Sequence, residues 1–524
     1  MVITDDMRAP NTPQEVIIRV EPRKPVTDPT LGIAVNVNRD GIPLHRLVTI
    51  GDSITHGFQS GAIFNTKISY PMMIAWEMGW DEQFRHPDPY NGWGGLPLNI
   101  EWLTRQLERE FGNEVNWWEL GATAFSVRQF MDDVEEHWER GRGSRIPNRK
   151  GINHNLGIYG WKVGDIISRN ADICENEIKK PKDNLFGQLV ENANELAALR
   201  VLNTARDANN NALTPVQAAK ALGENEGIET LIVMIGANNA LGSVIELRVQ
   251  WSNNADLQTQ ERFTVWNPVH FKEQLDKVVA EVKEINARHV IWATVPHVTI
   301  APIARGVQNK VRPGSRYFPY YTRPWIEDKD FDPKDDPKIT EQEARAIDSA
   351  IDQYNDDITN AVKEARNQRK DWYLFDLAGL LDRLASRRYI DDHTARPDWW
   401  TKYELPPELQ ALSPTPNSGF FTSDATGRVK GGLFSLDGIH PTTIAYGLVA
   451  QELINIMQRD AKVKFFLGDA ETERTDPVRL DFNRLIALDT LISDPPRTLS
   501  SDLKWLGWLD QNLDFFKQLL RLGS

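Results

Sequence analysis

A chain of 524 residues, 40% of them apolar, can bury a sizeable core, and its net charge of −14 argues against a duplex nucleic-acid surface, which needs a basic patch, and weakly against an anionic membrane. The single cysteine, Cys174, rules out an intramolecular disulfide. No run of about 18 apolar residues occurs, so no transmembrane helix is expected, and the acids and prolines of Met1–Val16 leave no room for a signal sequence, which favours a cytoplasmic chain unless a leader has been removed.

Residues 1–43 read as a polar arm with one strand at Glu15–Val20. His45–Ile50, closed by Gly51, reads as a buried strand, and Ser69-Tyr70-Pro71 offers a helix start that Gly79 stops. Leu231–Ile235 is a pure apolar run, as expected of a buried parallel strand. Phe271, Leu275, Val278, Val282 and Ile285 then share one helical face, and Val290–Val295 is the next strand. Such a strand–helix–strand unit predicts parallel strands joined by a right-handed crossover. Thr340 and Glu343 form a capping-box pattern ahead of the face Ile347, Ile351, Tyr354, Ile358 and Val362, and Trp372–Phe375 follows as another strand. This alternation predicts an α/β fold with a parallel sheet covered by helices on both faces.

Three stretches do not fit the alternation: 81–149, rich in Trp, Gly and charge; 298–338, rich in Pro, Tyr and Arg; and 394–432, rich in Pro, Trp and Gly. They are expected to be long insertions, and long ordered loops are often functional. Many of the 17 tryptophans fall in loop-like segments, which points to ligand-facing aromatic surface as much as to core filling. The tail from 461 to 524 reads as a helical extension, its last helix carrying Leu503, Trp505, Leu506, Trp508, Leu509, Leu513, Phe516, Leu519 and Leu520. That face suits docking on the main body, with a lid, a homo-oligomer contact or a lipid surface as alternatives. The expected organisation is an arm (1–43), a main domain (44–460) and the extension.

Gly51-Asp52-Ser53 follows the first strand directly, where α/β folds place their ligands. Alone, the tripeptide is also an ordinary turn with a helix cap. A serine hydroxyl needs a base to become a nucleophile, and His440, in Asp437-Gly438-Ile439-His440-Pro441, is a candidate whose other ring nitrogen Asp437 can reach across one turn. Asp437 alone reads equally well as a helix cap. Acyl transfer also needs donors aimed at an oxyanion, and Gly160 and Asn238 are the candidates.

Four pieces in this order resemble the SGNH (GDSL) hydrolase superfamily: Gly51-Asp52-Ser53; Asn155-Leu156-Gly157-Ile158-Tyr159-Gly160; Gly236-Ala237-Asn238-Asn239; and Asp437-Gly438-Ile439-His440-Pro441. They span residues 47–458 and leave arm and tail uncovered. The resemblance implies a flavodoxin-like three-layer α/β/α sandwich and a Ser-His-Asp esterase or lipase. Ser53 would be the nucleophile, His440 the base and Asp437 its orienting group. The N–H groups of Ser53 and Gly160 and the side chain of Asn238 would form the oxyanion hole. Two departures stand out. Asn239 occupies a position where the family often has Asp, and Leu120-Gly121-Ala122-Thr123 competes for the glycine block.

Asp52, His56, Asn239 and His297 are candidate pocket-lining residues. No metal-ligand spacing and no nucleotide-binding loop occurs, so neither metal nor cofactor is expected. The expected substrate is a small-molecule or lipid ester. Acetylated carbohydrate, acyl transfer to an acceptor other than water, and a non-catalytic binding protein of the same fold are the alternatives.

Overall fold

The computed structural model describes residues 7–112, 120–147, 150–180, 190–467, 472–497 and 507. Its centre is a five-stranded, all-parallel sheet: β1 (His45–Gly51), β2 (Asn155–Gly157), β3 (Ile228–Met234), β4 (Ala287–Ala293) and β5 (Trp372–Phe375), in spatial order β5-β4-β3-β1-β2. The predicted strands at 45–50, 231–235, 290–295 and 372–375 are all present, shifted by at most a few residues. β2 was not foreseen as a strand, because three residues are too few to show a period.

Side chains alternate across these strands, so successive residues feed two separate cores. Val48, Ile50, Leu231, Val233, Val290, Trp292 and Leu374 belong to one; Leu47, Ile232, Met234, Ile291, Ala293, Tyr373 and Phe375 belong to the other. Helices cover both faces, as predicted. The helices that matter for the site are α1 (Ser53–His56), α2 (Tyr70–Glu77), α3 (Asn238–Ile245), α4 (Pro268–Val282), α5 (Glu341–Asn367), α6 (Leu377–Leu384) and α7 (Thr443–Asn455). α4 and α5 pack on the first face; α2, α6 and α7 pack on the second. The capping box forms: Thr340 N–H donates to Glu343 Oε2 at 2.7 Å, and Glu343 N–H to Thr340 Oγ1 at 3.3 Å.

Among the described residues of the arm, 7–43, there is no strand, contrary to the expectation for Glu15–Val20. Val16 and Ile18 are buried, but side chains of α5 answer the backbone there: Ile17 N–H donates to Gln353 Oε1 (2.8 Å) and Arg19 N–H to Ser349 Oγ (3.0 Å). Further on the arm runs along the sheet's free edge, where the Pro29 carbonyl accepts from Leu374 N–H on β5 (2.9 Å), so that edge is partly covered.

The three insertions carry more regular structure than loops. Residues 81–149 contain helices Ile100–Phe111 and Leu120–Glu135, which bury Leu103, Leu107, Phe130 and Val134 at helical spacing. Residues 298–338 supply strands Arg305–Val307 and Tyr320–Thr322 of a small antiparallel sheet completed by Ile339–Thr340. Residues 394–432 supply a hairpin, Thr422–Asp424 with Gly427–Lys430. After residue 461, short helices Phe482–Leu488 and Thr490–Ser493 dock against the second core. The apolar helix expected over 503–520 lies outside the described residues, apart from residue 507. Among the described residues, no helix is long and apolar enough to cross a membrane.

Candidate active site

β1, β2 and β3 end level with one another: Gly51 is in register with Gly157 of β2 and with Met234 of β3. The serine, glycine and asparagine blocks therefore emerge together from three adjacent strands, at their carboxyl ends. Gly51 must be glycine, since a Cβ there would collide with the Thr55 side chain and the Met234 carbonyl. Asp52 caps α1 by accepting from Ile54 N–H (3.2 Å), which makes Ser53 the first helical residue, a position whose N–H has no intrahelical acceptor.

The fourth block reaches the same place from the start of α7. Asp437–His440 makes one tight turn, with Gly438 at φ +67°, a conformation that favours glycine. Asp437 Oδ1 accepts from the N–H groups of Ile439 (2.9 Å) and His440 (2.8 Å); Oδ2 lies 2.9 Å from His440 Nδ1 and 2.9 Å from Gly61 N. Burial works to raise this carboxyl, but His440 and the backbone donors outweigh it and hold the group below the ordinary carboxylate range. An ionised carboxylate can only accept, so Nδ1 of His440 carries the ring proton and Nε2 is left as an acceptor. Ser53 Oγ lies 2.9 Å from that Nε2 and donates to it. The ring is further fixed by Phe58, whose centroid is 4.5 Å away. Such a chain can withdraw the hydroxyl proton as the oxygen attacks an electrophile, and it can stabilise the imidazolium that results.

Asn238 is the first residue of α3. Its Nδ2 donates one proton to the Trp161 carbonyl (2.9 Å) and has a second in hand. Asn239 Oδ1 accepts from Val163 N–H (3.1 Å). A carboxylate would accept that bond equally well. Together the two asparagines pin the loop that carries Gly160, a residue at φ +78° just beyond β2 that borders a separate polar cleft with Asp165 and Asn194. The rival Gly121 lies exposed in the first turn of helix Leu120–Glu135, away from the sheet.

Ser53 and His440 open onto a pocket walled by Leu377, Leu380, Leu381 and Leu384 of α6, Ala445, Leu448 and Val449 of α7, and Leu241, Val298 and Ala301. His297 also lines it. Asp352 Oδ1 lies 3.0 Å from its Nε2 and Asp382 Oδ1 3.3 Å from its Nδ1. Burial opposes a charge on this ring, but Asp382, Asp348 and Asp352 prevail and push its pKa up to about 10, so it is an imidazolium.

The other three candidates do not line the pocket. Asp52 is buried beneath the serine turn, where burial pushes its carboxyl up to about 7 against the pull of Ile54 N–H and His440. His56 faces the protein interior: Tyr159 N–H donates to its Nδ1 (3.4 Å), so its Nε2–H donates to Tyr90 Oη (2.7 Å), and burial pushes its pKa down to about 3. Asn239 is spent on the loop. Of the two tryptophan readings, core filling describes Trp138, Trp266 and Trp292, and mostly aliphatic side chains build the pocket wall. Among the described residues, no group of three or more His, Cys, Asp or Glu side chains is placed to hold a metal ion.

Sequence reasoning missed the brace behind the turn. Ser60 N–H donates to Ser435 Oγ (2.9 Å), and Gly61 N–H reaches Asp437. Tyr446 Oη donates to the Phe58 carbonyl (2.6 Å). It also missed the apolar wall formed by the leucine face of Leu377–Leu384. Compared with known proteins, the chain matches no family model and has no significant match among curated proteins.

Proposed function

We propose that the protein is a serine hydrolase that cleaves carboxylic esters with a hydrocarbon acyl chain, on a flavodoxin-like three-layer α/β/α fold of SGNH type. The observation that carries this reading is the hydrogen-bonded chain Ser53–His440–Asp437 opening directly onto an aliphatic pocket. The strand order β2-β1-β3-β4-β5, with the site at the carboxyl ends of β1 and β3, supports the flavodoxin-like assignment.

In this mechanism Ser53 Oγ attacks the ester carbonyl while its proton passes to His440 Nε2. The tetrahedral oxyanion is met by the Ser53 and Gly160 N–H groups and the remaining Nδ2–H of Asn238. Collapse expels the alcohol, which takes the proton from His440. Water then repeats the sequence on the acyl-enzyme and releases the acid. The Gly160 assignment rests on its place just past β2, the Asn238 assignment on its place at the start of α3, four residues past β3.

The pocket's chemistry selects among ester classes. Acetylated sugars are held by several aromatic faces and polar groups, whereas this wall is predominantly aliphatic, interrupted by Phe434, Ser418 and His297. Each buried methylene contributes about 0.8 kcal/mol, so kcat/KM should rise about fourfold per methylene from acetate to octanoate in a p-nitrophenyl ester series. A preference for acetate, or equal hydrolysis by Ser53→Ala, would overturn the proposal. Asn238→Ala should lower kcat by about 10²–10³-fold; because Asn238 also holds the Trp161 carbonyl, a thermal melt of the variant shows whether the fold survives.

A further inference from the structure

Next to the apolar pocket lies a second cavity of opposite character. Ser418 belongs to both, and their walls alternate along the chain: Val298 and Ala301 face the first, Thr299 and Pro302 the second. The second cavity is lined by Arg305, Arg316, Arg387, Arg388 and Lys430 and by no acidic side chain, in a protein whose net charge is −14. Phe420, also in this lining, packs where a side chain on Gly438 would sit, so the cavity backs onto the Asp437–His440 turn.

Two of the five cations are ion-paired, and a third, Arg316, donates to the Val20 carbonyl and lies over the Tyr317 ring. Arg388 is buried and paired with Asp348 (2.9 Å), and Arg305 with Asp328 (2.6 Å). Arg387 lies over the Phe318 ring at 4.9 Å, and Lys430 lays its chain along Gly419. Among the described residues neither makes an ion pair. Burial and neighbouring cations, Arg305 for Arg387 and both arginines for Lys430, pull their pKa values below the ordinary range. Asp328 and Asp391 act on these two only from outside the lining and do not offset the shift; cations gathered in a concave site whose own lining holds no acid are an arrangement that a bound anion relieves through charge-assisted hydrogen bonds.

We propose that this cavity binds an anionic group, phosphate, sulfate or carboxylate, of the same ester whose hydrocarbon part fills the apolar pocket, so that the substrate is an anionic amphiphile. The inference rests on the ester-hydrolase reading for its link to turnover, but not for the binding itself.

The test titrates octyl phosphate and neutral octyl glucoside onto the full-length Ser53→Ala protein by calorimetry, and onto the same protein carrying Arg387→Gln and Lys430→Gln. Octyl phosphate is expected to bind at least about tenfold more tightly than octyl glucoside, and the two substitutions to weaken it roughly 10- to 100-fold. Arg387→Lys with Lys430→Arg, which keeps both charges, should retain most of the affinity and separates charge from folding. Equal affinity for the two amphiphiles, or octyl phosphate binding indifferent to the substitutions, would overturn the proposal. In the wild type, hydrolysis of an octanoyl ester of glycerol phosphate against the monomethyl ester of octanedioic acid tells whether the anion lies on the alcohol side or at the end of the acyl chain. Because binding is read without turnover, absence of Ser53-dependent hydrolysis would sink the enzyme reading alone, and absence of anion preference would sink this one alone.

Discussion

Ser53→Ala and His440→Ala are each expected to lower kcat for an octanoyl ester by about 10⁴-fold or more, and the double variant to be scarcely slower than either. The near-equality follows from the geometry. The hydroxyl and the imidazole are joined at 2.9 Å and act as one device. Without the ring the hydroxyl keeps its proton, and without the hydroxyl the ring has nothing to activate. What survives in all three is binding in the aliphatic pocket and whatever the oxyanion donors give to attack by water. Steady-state kinetics of the three variants, with KM measured separately, check this. Losses that multiplied in the double variant would mean that the two residues serve separate functions. Neither change should unfold the chain, since Ser53 Oγ supports nothing but the ring, and the turn holding His440 is fixed by its backbone.

Asp437→Asn is expected to cost about 10⁴-fold in kcat while leaving KM nearly unchanged. The carboxylate sets the tautomer: with two acceptor oxygens it forces Nδ1 to carry the proton and so leaves Nε2 free to accept from Ser53. An asparagine can keep the Oδ1 bonds to the Ile439 and His440 N–H groups and hence the turn. The oxygen facing His440 and Gly61 becomes an amide, however, or else the flipped amide costs the turn its two donors. With an Nδ2–H pointing at Nδ1, the ring proton moves to Nε2 and the base is lost. Since His440 and the hydrogen-bond donors hold Asp437 below the ordinary carboxylate range against the opposing effect of burial, the wild type should keep this carboxylate ionised throughout and above that range, whereas the variant's residual rate should rise as hydroxide increases. An Asn variant within tenfold of wild type would remove Asp437 from the mechanism.

The chemistry of the site was more legible than its support. Ser53, Asn238 and His440 stand out because each sits at a strand-to-helix junction flanked by glycine or proline, and local signals mark such junctions. The donors that brace Asp437 come from Ser60 and Gly61, 375 and 376 positions away from their partners, and no periodicity encodes a contact of that range. His56 and His297 illustrate the same limit. Both lie next to strand ends, yet one is neutral in the interior against Tyr90 and the other is an imidazolium on the pocket wall, a difference set by Asp352 and Asp382 far along the chain. The sheet was readable where strands were long and apolar and was missed at the three residues of β2. In the 81–149 insertion the helical spacing of Leu103 with Leu107, and of Phe130 with Val134, was present, but Trp, Gly and charge around it gave the segment the composition of a loop. The arm fails in the opposite sense: its apolar alternation at Val16 and Ile18 is real, but side chains of α5 satisfy the backbone where a neighbouring strand would have.

The central claim is that Ser53 is a nucleophile activated by His440, and covalent trapping tests it most directly. A long-chain alkyl fluorophosphonate should add once to the wild-type protein, as read by intact mass, and peptide mapping should place the adduct on Ser53. His440→Ala should react at least about 10³-fold more slowly, in keeping with the loss of its base. No adduct on a protein that hydrolyses esters, or an adduct that persists in Ser53→Ala, would contradict the account.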